Sequence, residues 1–381
     1  MMIIEIRKAG FTNKGAEMML LSILDEVRKN YPDCEFVMAP TTEKGSQPFS
    51  KLTKLGIRTK FKLRRGRLDL SFLGGLIPTK IRNAYGIVID KEVDVVLDAS
   101  GFSYSDQWGE YDCMELNDSL LKAEKYKQKY ILMPQAFGPF DNRNNIRFMK
   151  SILKKVDVVY ARDKVSFQYL VNIEPDIKKI IQKPDFTCTL KPIKTERVEL
   201  YRNKVPVVPN YRMLDKTEGS TSNNYLSMMT ELVKKSVESG FEPYFLIHET
   251  HLDKEVANKI NSKLEIELEM IEESNPQVIK GFLGVAKFVI ASRYHASISA
   301  LSQGVPVLGT SWSHKYEELF NEYDFNRGLV NTKNIKSSLI DEFKSDETYK
   351  KIVNKLIGKS NIVKAQTKDM WFNVFDIIDK G

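Results

Sequence analysis

Residues 288–315 read FVIASRYHASISALSQGVPVLGTSWSHK, and their alternation decides the fold. The apolar run at 288–291 has the length of a strand. Helical spacing follows over 295–303, and a second β-rich run occupies 305–308. That run ends in Gly309-Thr310-Ser311-Trp312-Ser313-His314-Lys315, ahead of another helical pattern at 315–320. Short β-rich runs alternating with helices are the signature of a parallel sheet wrapped by helices. Ligands of open α/β sheets bind beyond the carboxyl ends of the strands. The residues in those loops are therefore the first to weigh for function.

The same rhythm extends outward in both directions. In the second half, 205–208, 242–247 and 267–271 are strand-like, with helices expected at 223–239, 252–264 and 277–285. In the first half, strands are expected at 3–6, 35–39, 93–97, 130–133 and 156–160. Between them, Met18, Leu21, Ile23, Leu24 and Val27 recur at helical spacing, and 119–129 and 145–155 behave alike. A polar stretch at 191–204 has no clear period and marks the seam, and the tail is mostly helical. The expected fold is α/β: two Rossmann-like domains, 1–195 and 196–335, facing across a cleft. A helical tail, 336–381, packs back on them.

A chain of 381 residues suits two domains of roughly 150–200 residues each. Cys34, Cys113 and Cys188 are scattered and odd in number, which supports neither a disulfide framework nor a zinc site. The start MMIIEIRKAG has no apolar run of signal-peptide length, and no stretch approaches the roughly 20 apolar residues of a membrane span. The expected place is the cytoplasm, at most resting on the inner face of a membrane. The net charge of +8 is spread along the chain, with its densest cluster at Lys60, Lys62, Arg64, Arg65 and Arg67. The apolar run Phe72-Leu73-Gly74-Gly75-Leu76-Ile77 follows it. Such a pair fits a solvated loop or a contact with an anionic membrane or lipid-linked acceptor. No nucleic-acid-binding motif accompanies the charge.

Polar equipment gathers at the expected strand ends. After the first strand, Gly10 to Glu17 is a glycine-punctuated turn in which Asn13 either meets a ligand or caps the helix. After 93–97 come Asp98 and Asp106 among serines, either of which can take a proton from a substrate hydroxyl. Gln135 lies in a loop stiffened by Pro134, Gly138 and Pro139. Arg162 stands at another strand end, followed by Asp163 and Ser166. The densest site is Ser292-Arg293-Tyr294-His295. Arg293 offers a rigid charged fork, His295 exchanges a proton near neutral pH, and Lys315 sits on an adjacent loop. His248 and His251 follow a strand without metal-ligand spacing. Cations at Arg162, Arg293 and Lys315 around one proton-transfer residue, His295, imply a small substrate with more than one negative charge.

Taken together, GFTNKGAE, DASGFSYSD, PQAFGP, ARD with Ser166, PDF around Asp185, and SRYHASISALSQGVPVLGTSWSHK resemble the polysaccharide pyruvyl transferase family. The resemblance runs in order from residue 10 to about 320. It implies a fold like the two-Rossmann-domain (GT-B) glycosyltransferases, with no metal or organic cofactor. The implied donor is phosphoenolpyruvate. The implied acceptor is a sugar of a polysaccharide or its lipid-linked precursor, as in capsule or exopolysaccharide synthesis, and the product is a pyruvate ketal. On that reading Arg293 and Lys315 hold the donor's charges with Arg162 assisting, and Ser292, Asn13 and Gln135 line the substrate sites. His295 is the general acid, and Asp98 or Asp106 takes the hydroxyl proton.

Two other readings fit the same architecture. A sugar-nucleotide glycosyltransferase or epimerase would place Arg293 and Lys315 on a diphosphate. A glycan- or phosphate-binding protein would use the same cations without turnover.

Overall fold

The computed structural model of the chain describes residues 1–380 except 43–44, 177, 216–218, 249, 311–313 and 331–337, and no side chains at 215, 219–223 and 250. Residues 311–313 of the loop before Lys315, and 336–337 of the expected tail, lie outside the described residues. The chain divides into two compact units, Met1–Phe186 with Gln366–Gly381, and Thr187–Ala365.

The first unit is built on one sheet of eight parallel strands. In chain order these are β1 (Ile3–Arg7), β2 (Glu35–Met38), β3 (Ile57–Lys60), β6 (Ile87–Val88), β7 (Val95–Asp98), β8 (Lys129–Gln135), β9 (Val158–Ala161) and β10 (Ile180–Gln182). A small antiparallel hairpin, β4 (Arg64–Arg65) with β5 (Leu68–Asp69), falls between β3 and β6. The order across the sheet is β10-β9-β8-β7-β1-β2-β3-β6. It reverses direction beside β1, which pairs with β2 on one side and β7 on the other. Strands covered on both faces read as unbroken apolar runs, and every residue of Val95–Asp98 is buried. The helix Lys14–Asn30 lays Met19, Leu20, Ile23, Leu24 and Val27 into this core, with Glu17 in its first turn.

The second unit repeats the plan with β11 (Val205–Val208), β12 (Pro243–Ile247), β13 (Met270–Glu272), β14 (Val289–Ala291), β15 (Val307–Thr310) and β16 (Leu329–Val330). Their order is β13-β12-β11-β14-β15-β16, again parallel throughout. The reversal lies between β11 and β14. The long helix Asp346–Asp379 ends the chain. Ser360 in its first half donates to the Ser302 carbonyl at 2.7 Å. Its last turns return to the first unit, where Trp371 meets Phe186 edge-on at 6.0 Å.

The basic run reads differently in three dimensions than in one. Lys60 is buried in β3 against Glu5 and Asp90. Lys62 meets Glu115, and Arg64 meets Asp118 and Asp69. Lys60 thus ties β3 to β1, and Lys62 and Arg64 tie the hairpin region to the helix Tyr111–Tyr126, while Arg65 and Arg67 stay exposed.

Candidate active site

Where a sheet reverses its strand order, two neighbouring crossovers leave on opposite faces and open a crevice at the carboxyl edge. In the second unit that point lies between β11 and β14. The residues just past those strands are Asn210 and Ser292. The Ser292 N–H donates to the Val208 carbonyl at 2.9 Å, which extends the pairing by one step. Asn210 Nδ2 and the Tyr316 hydroxyl each donate to the Ser292 carbonyl, both at 2.9 Å. The Tyr225 hydroxyl donates to Ser292 Oγ at 2.8 Å and accepts from the Asn210 N–H at 3.1 Å. Burial pushes the Tyr225 phenol up, so it stays a donor. Ser292 is thus pinned from three sides. It orients the turn into the helix Tyr294–Leu301.

Arg293 precedes that helix as its N-cap. Its Nε donates to Asp253 Oδ2 at 2.9 Å and its Nη2 to Oδ1 at 2.6 Å. Asp253 is fully buried and also accepts from the Tyr211 N–H at 3.0 Å. Sequence reading missed this acid. The available signal was its place in the first turn of the helix Thr250–Asn261, directly after β12.

Tyr294 organises the two remaining groups. Its ring meets His295 edge-on at 5.3 Å and Tyr316 edge-on at 5.9 Å. Lys315 Nζ lies 5.9 Å from the Tyr294 ring centre and 5.6 Å from that of Tyr316, within cation–π range. His295 and Lys315 therefore both lie against one aromatic ring, and both are half-buried. The second unit brings together Ser292, Arg293, His295 and Lys315. His248 is buried after β12, whereas His251 is exposed and pairs with Glu255 at 3.1 Å.

The first unit holds the other expected residues, with different surroundings. Arg162 is buried against Asp185 at 3.2 Å. Asn13 is the N-cap of Lys14–Asn30, its side chain accepting from the Gly15 N–H at 2.8 Å. Gln135 is fully buried, accepting from Ser100 Oγ and donating to the Asp98 carbonyl at 3.4 Å. Asp98 has no exposed surface, and its Oδ2 accepts from the Tyr104 hydroxyl at 2.8 Å with Arg7 Nε 3.8 Å away. Burial raises its pKa despite Arg7 and Lys8. Asp106 accepts from the Asn145 amide at 2.6 Å, the Asn142 N–H at 2.8 Å and the Asp141 N–H. Burial works to raise its pKa, and these bonds outweigh it and hold the group low. A general base needs an open path to a hydroxyl and an uncommitted lone pair. In this unit Asp98 is fully buried with no hydrogen bond to its Oδ1, and Asp106 is partly exposed with two donors on Oδ2 and one on Oδ1, which leaves Oδ1 a lone pair.

Beside them lies a cavity of about 290 Å³, at the carboxyl end of β1. Lys8, Ser46, Gln47, Ser103, Tyr111 and Glu115 are among its walls. Glu115 receives Arg7 at 2.7 Å, Lys62 at 2.7 Å and Lys8 at 3.6 Å. Burial acts to raise its pKa, yet the three cations hold it well below the usual carboxylate range. Among the described residues no group of three His, Cys, Asp or Glu side chains is placed to hold a metal ion. No described helix is long and apolar enough to cross a membrane.

Comparison with known proteins bears on both halves. A family model for polysaccharide pyruvyl transferase matches residues 13–314. No curated protein matches the sequence. Among solved structures, the chain is similar to Anabaena Alr3699/HepE in complex with UDP and glucose, with a TM-score of 0.59 at 11% identity, covering 98% of this chain and 99% of that one. It is also similar to UDP-GlcNAc 2-epimerase from Neisseria meningitidis bound to UDP-GlcNAc, with a TM-score of 0.55 at 15% identity, covering 97% and 100%. A putative UDP-N-acetylglucosamine 2-epimerase from Listeria monocytogenes gives a TM-score of 0.55 at 14% identity, covering 97% and 96%. At such identities the likeness is one of fold: a GT-B-like pair of Rossmann-type sheets with a helical tail.

Proposed function

The chain belongs to the polysaccharide pyruvyl transferase family, and from that premise we propose that it moves the enolpyruvyl group of phosphoenolpyruvate onto a glycan to form a pyruvate ketal. The observation that carries this reading is the placement of both His295 and Lys315 against the Tyr294 ring, at the edge where the second sheet reverses. Phosphoenolpyruvate carries a carboxylate and a phosphate, and a fixed ammonium stabilises whichever of them gains charge in the transition state. Lys315 supplies that charge. The N-terminal N–H groups of the helix Tyr294–Leu301 point the same way in sign.

The chemistry needs one acid and two deprotonations. His295 protonates the methylene carbon, which becomes a methyl group and leaves the central carbon electrophilic. A sugar hydroxyl adds to that carbon, the carbon–oxygen bond to phosphate breaks, and a second hydroxyl closes the ring. Of the two hydroxyl protons, one balances the proton now on the methyl group and the other leaves with phosphate. A group that gives the first proton and regains it from a hydroxyl ends each cycle as it began, and His295 suits that role.

Arg293 acts here through Asp253: the pair fixes the turn that presents His295. In the first unit, the cavity walled by Ser46, Gln47, Ser103 and Tyr111 suits a sugar, offering hydroxyl and amide partners beside an aromatic ring. The acceptor is a sugar of a polysaccharide or of its lipid-linked precursor, and the chemistry asks for no cofactor.

The competing reading is transfer or epimerisation of a sugar nucleotide, because solved proteins of similar fold hold UDP or UDP-sugars. A coupled phosphate-release assay separates the two. Release that requires both phosphoenolpyruvate and glycan supports pyruvyl transfer. Consumption of a UDP-sugar with phosphoenolpyruvate absent overturns it.

A further inference from the structure

We propose that residues 62–85 form a docking surface for a bilayer rich in anionic phospholipid. Eighteen large apolar side chains are exposed among the described residues, and six of them fall in this one segment: Leu63, Leu68, Phe72, Leu76, Ile81 and Tyr85. Phe72, Leu76 and Tyr85 are 67%, 77% and 73% exposed. Single exposed hydrophobes are ordinary, but a concentration of them marks an interaction surface.

The segment is held from beneath, so these side chains are not needed to fold it. The hairpin β4–β5 is anchored by Arg64 on Asp118 at 2.6 Å. The short helices Ser71–Leu76 and Thr79–Ala84 follow. Arg82 grips both oxygens of Glu92 at 2.6 Å, and the Leu63 N–H donates to Ser71 Oγ at 3.1 Å. At Gly74 a Cβ would come within 2.6 Å of Phe61 and 2.9 Å of Ile89, so the turn seats directly on the body of the unit.

Charge decides what covers this surface. The one acidic residue between 62 and 85 is Asp69, and Lys122 and Arg64 take it up. Arg65, Arg67 and Lys80 are exposed and make no ion pair among the described residues. Cations interleaved with Phe, Leu and Tyr on short turns match a lipid headgroup boundary, where apolar tips enter and basic groups stay at the phosphates. A protein partner would bring aromatic and arginine side chains together in the same way, and binding to vesicles separates the two. Lys62 joins the two regions, since it lines the cavity and pairs with Glu115 while its neighbour Leu63 belongs to the exposed set. Docking would hold that cavity at the lipid surface. The inference stands apart from the transferase reading, because vesicle binding needs neither donor nor acceptor.

Sedimentation of the full chain with vesicles tests it. Binding is expected to vesicles of equal parts phosphatidylcholine and phosphatidylglycerol, not to phosphatidylcholine alone, and to weaken as salt rises. Replacing Arg65, Arg67 and Lys80 by Gln weakens partition about 100-fold at roughly one cation's attraction each. Phe72→Ser with Leu76→Ser weakens it at least about tenfold. Both variants alter exposed side chains, and an unchanged melting temperature confirms their fold. Equal binding to both vesicle types, no binding to either, or variants that bind like the parent protein overturns the proposal.

Discussion

Arg293 and Asp253 meet side-on inside the second unit, sharing two hydrogen bonds of 2.9 and 2.6 Å. The guanidinium stands at the start of the helix that carries His295, and the carboxylate in the first turn of another. Removing Asp253 takes both of these bonds from a guanidinium that is only 8% exposed. Asp253→Ala is expected to cost about 3–5 kcal/mol, read as a fall in the denaturation midpoint of the second unit. Arg293→Lys keeps the charge but not the fork, and lands between parent and Asp253→Ala. A neutral result for Asp253→Ala would contradict the positioning role.

His295 and Lys315 have separable parts in the proposal. His295→Gln is expected to lower kcat about 10²–10⁴-fold with little change in the KM for phosphoenolpyruvate. Lys315→Met raises that KM and lowers kcat as well, because the ammonium binds charge in both the ground and the transition state. Steady-state phosphate release measures both. A His295→Gln enzyme with normal kcat removes the assigned acid.

Tyr225 holds two polar groups that water does not reach. Tyr225→Phe leaves Ser292 Oγ and the Asn210 N–H without that hydroxyl. The expected loss is about 1–3 kcal/mol of stability, measurable by thermal unfolding. Activity falls with it, since the turn before His295 loosens. A stable variant with full activity would show that the hydroxyl is dispensable.

Glu115 makes acid stability of the first unit a directed prediction. Its folded pKa is depressed by Arg7, Lys62 and Lys8. Its contribution is therefore complete above the ordinary glutamate value, about 4.3. It is lost as pH falls from there toward the depressed folded value. Glu115→Gln is expected to be less stable than the parent near neutral pH, and the gap closes in acid. Asp98, raised by burial, works with the opposite sign, so the readout is the difference in melting temperature between the two proteins, not the slope of either. A gap that stays constant with pH would contradict the assignment.

Much of this was legible in one dimension, and the exceptions share a cause. The runs at 93–97, 205–208 and 288–291 announce central strands because both faces are buried and nearly every residue is apolar. β3 escaped because Ile57-Arg58-Thr59-Lys60 looks like part of a basic loop until Glu5 and Glu35 are placed opposite it. β6 and β16 have two residues each, too few for any period. At the candidate site, Ser292, Arg293, His295 and Lys315 could be found because they follow strands. Asp253 and Tyr225 could not be paired with them, since those contacts span 40 and 67 positions of chain. The surroundings of Asp98 and Asp106 were equally hidden: Tyr104, Asn145 and the Asn142 N–H, which bond them, lie 6 to 39 positions away in the chain.

The central claim is tested most directly by mass spectrometry of a glycan acceptor incubated with the enzyme and phosphoenolpyruvate in deuterated water. The account predicts that the glycan gains the mass of pyruvate less one water, with one deuterium in the new methyl group from protonation of the methylene carbon. Parent protein should give this product and His295→Gln should not. An unmodified glycan beside rapid turnover of a UDP-sugar would contradict the account.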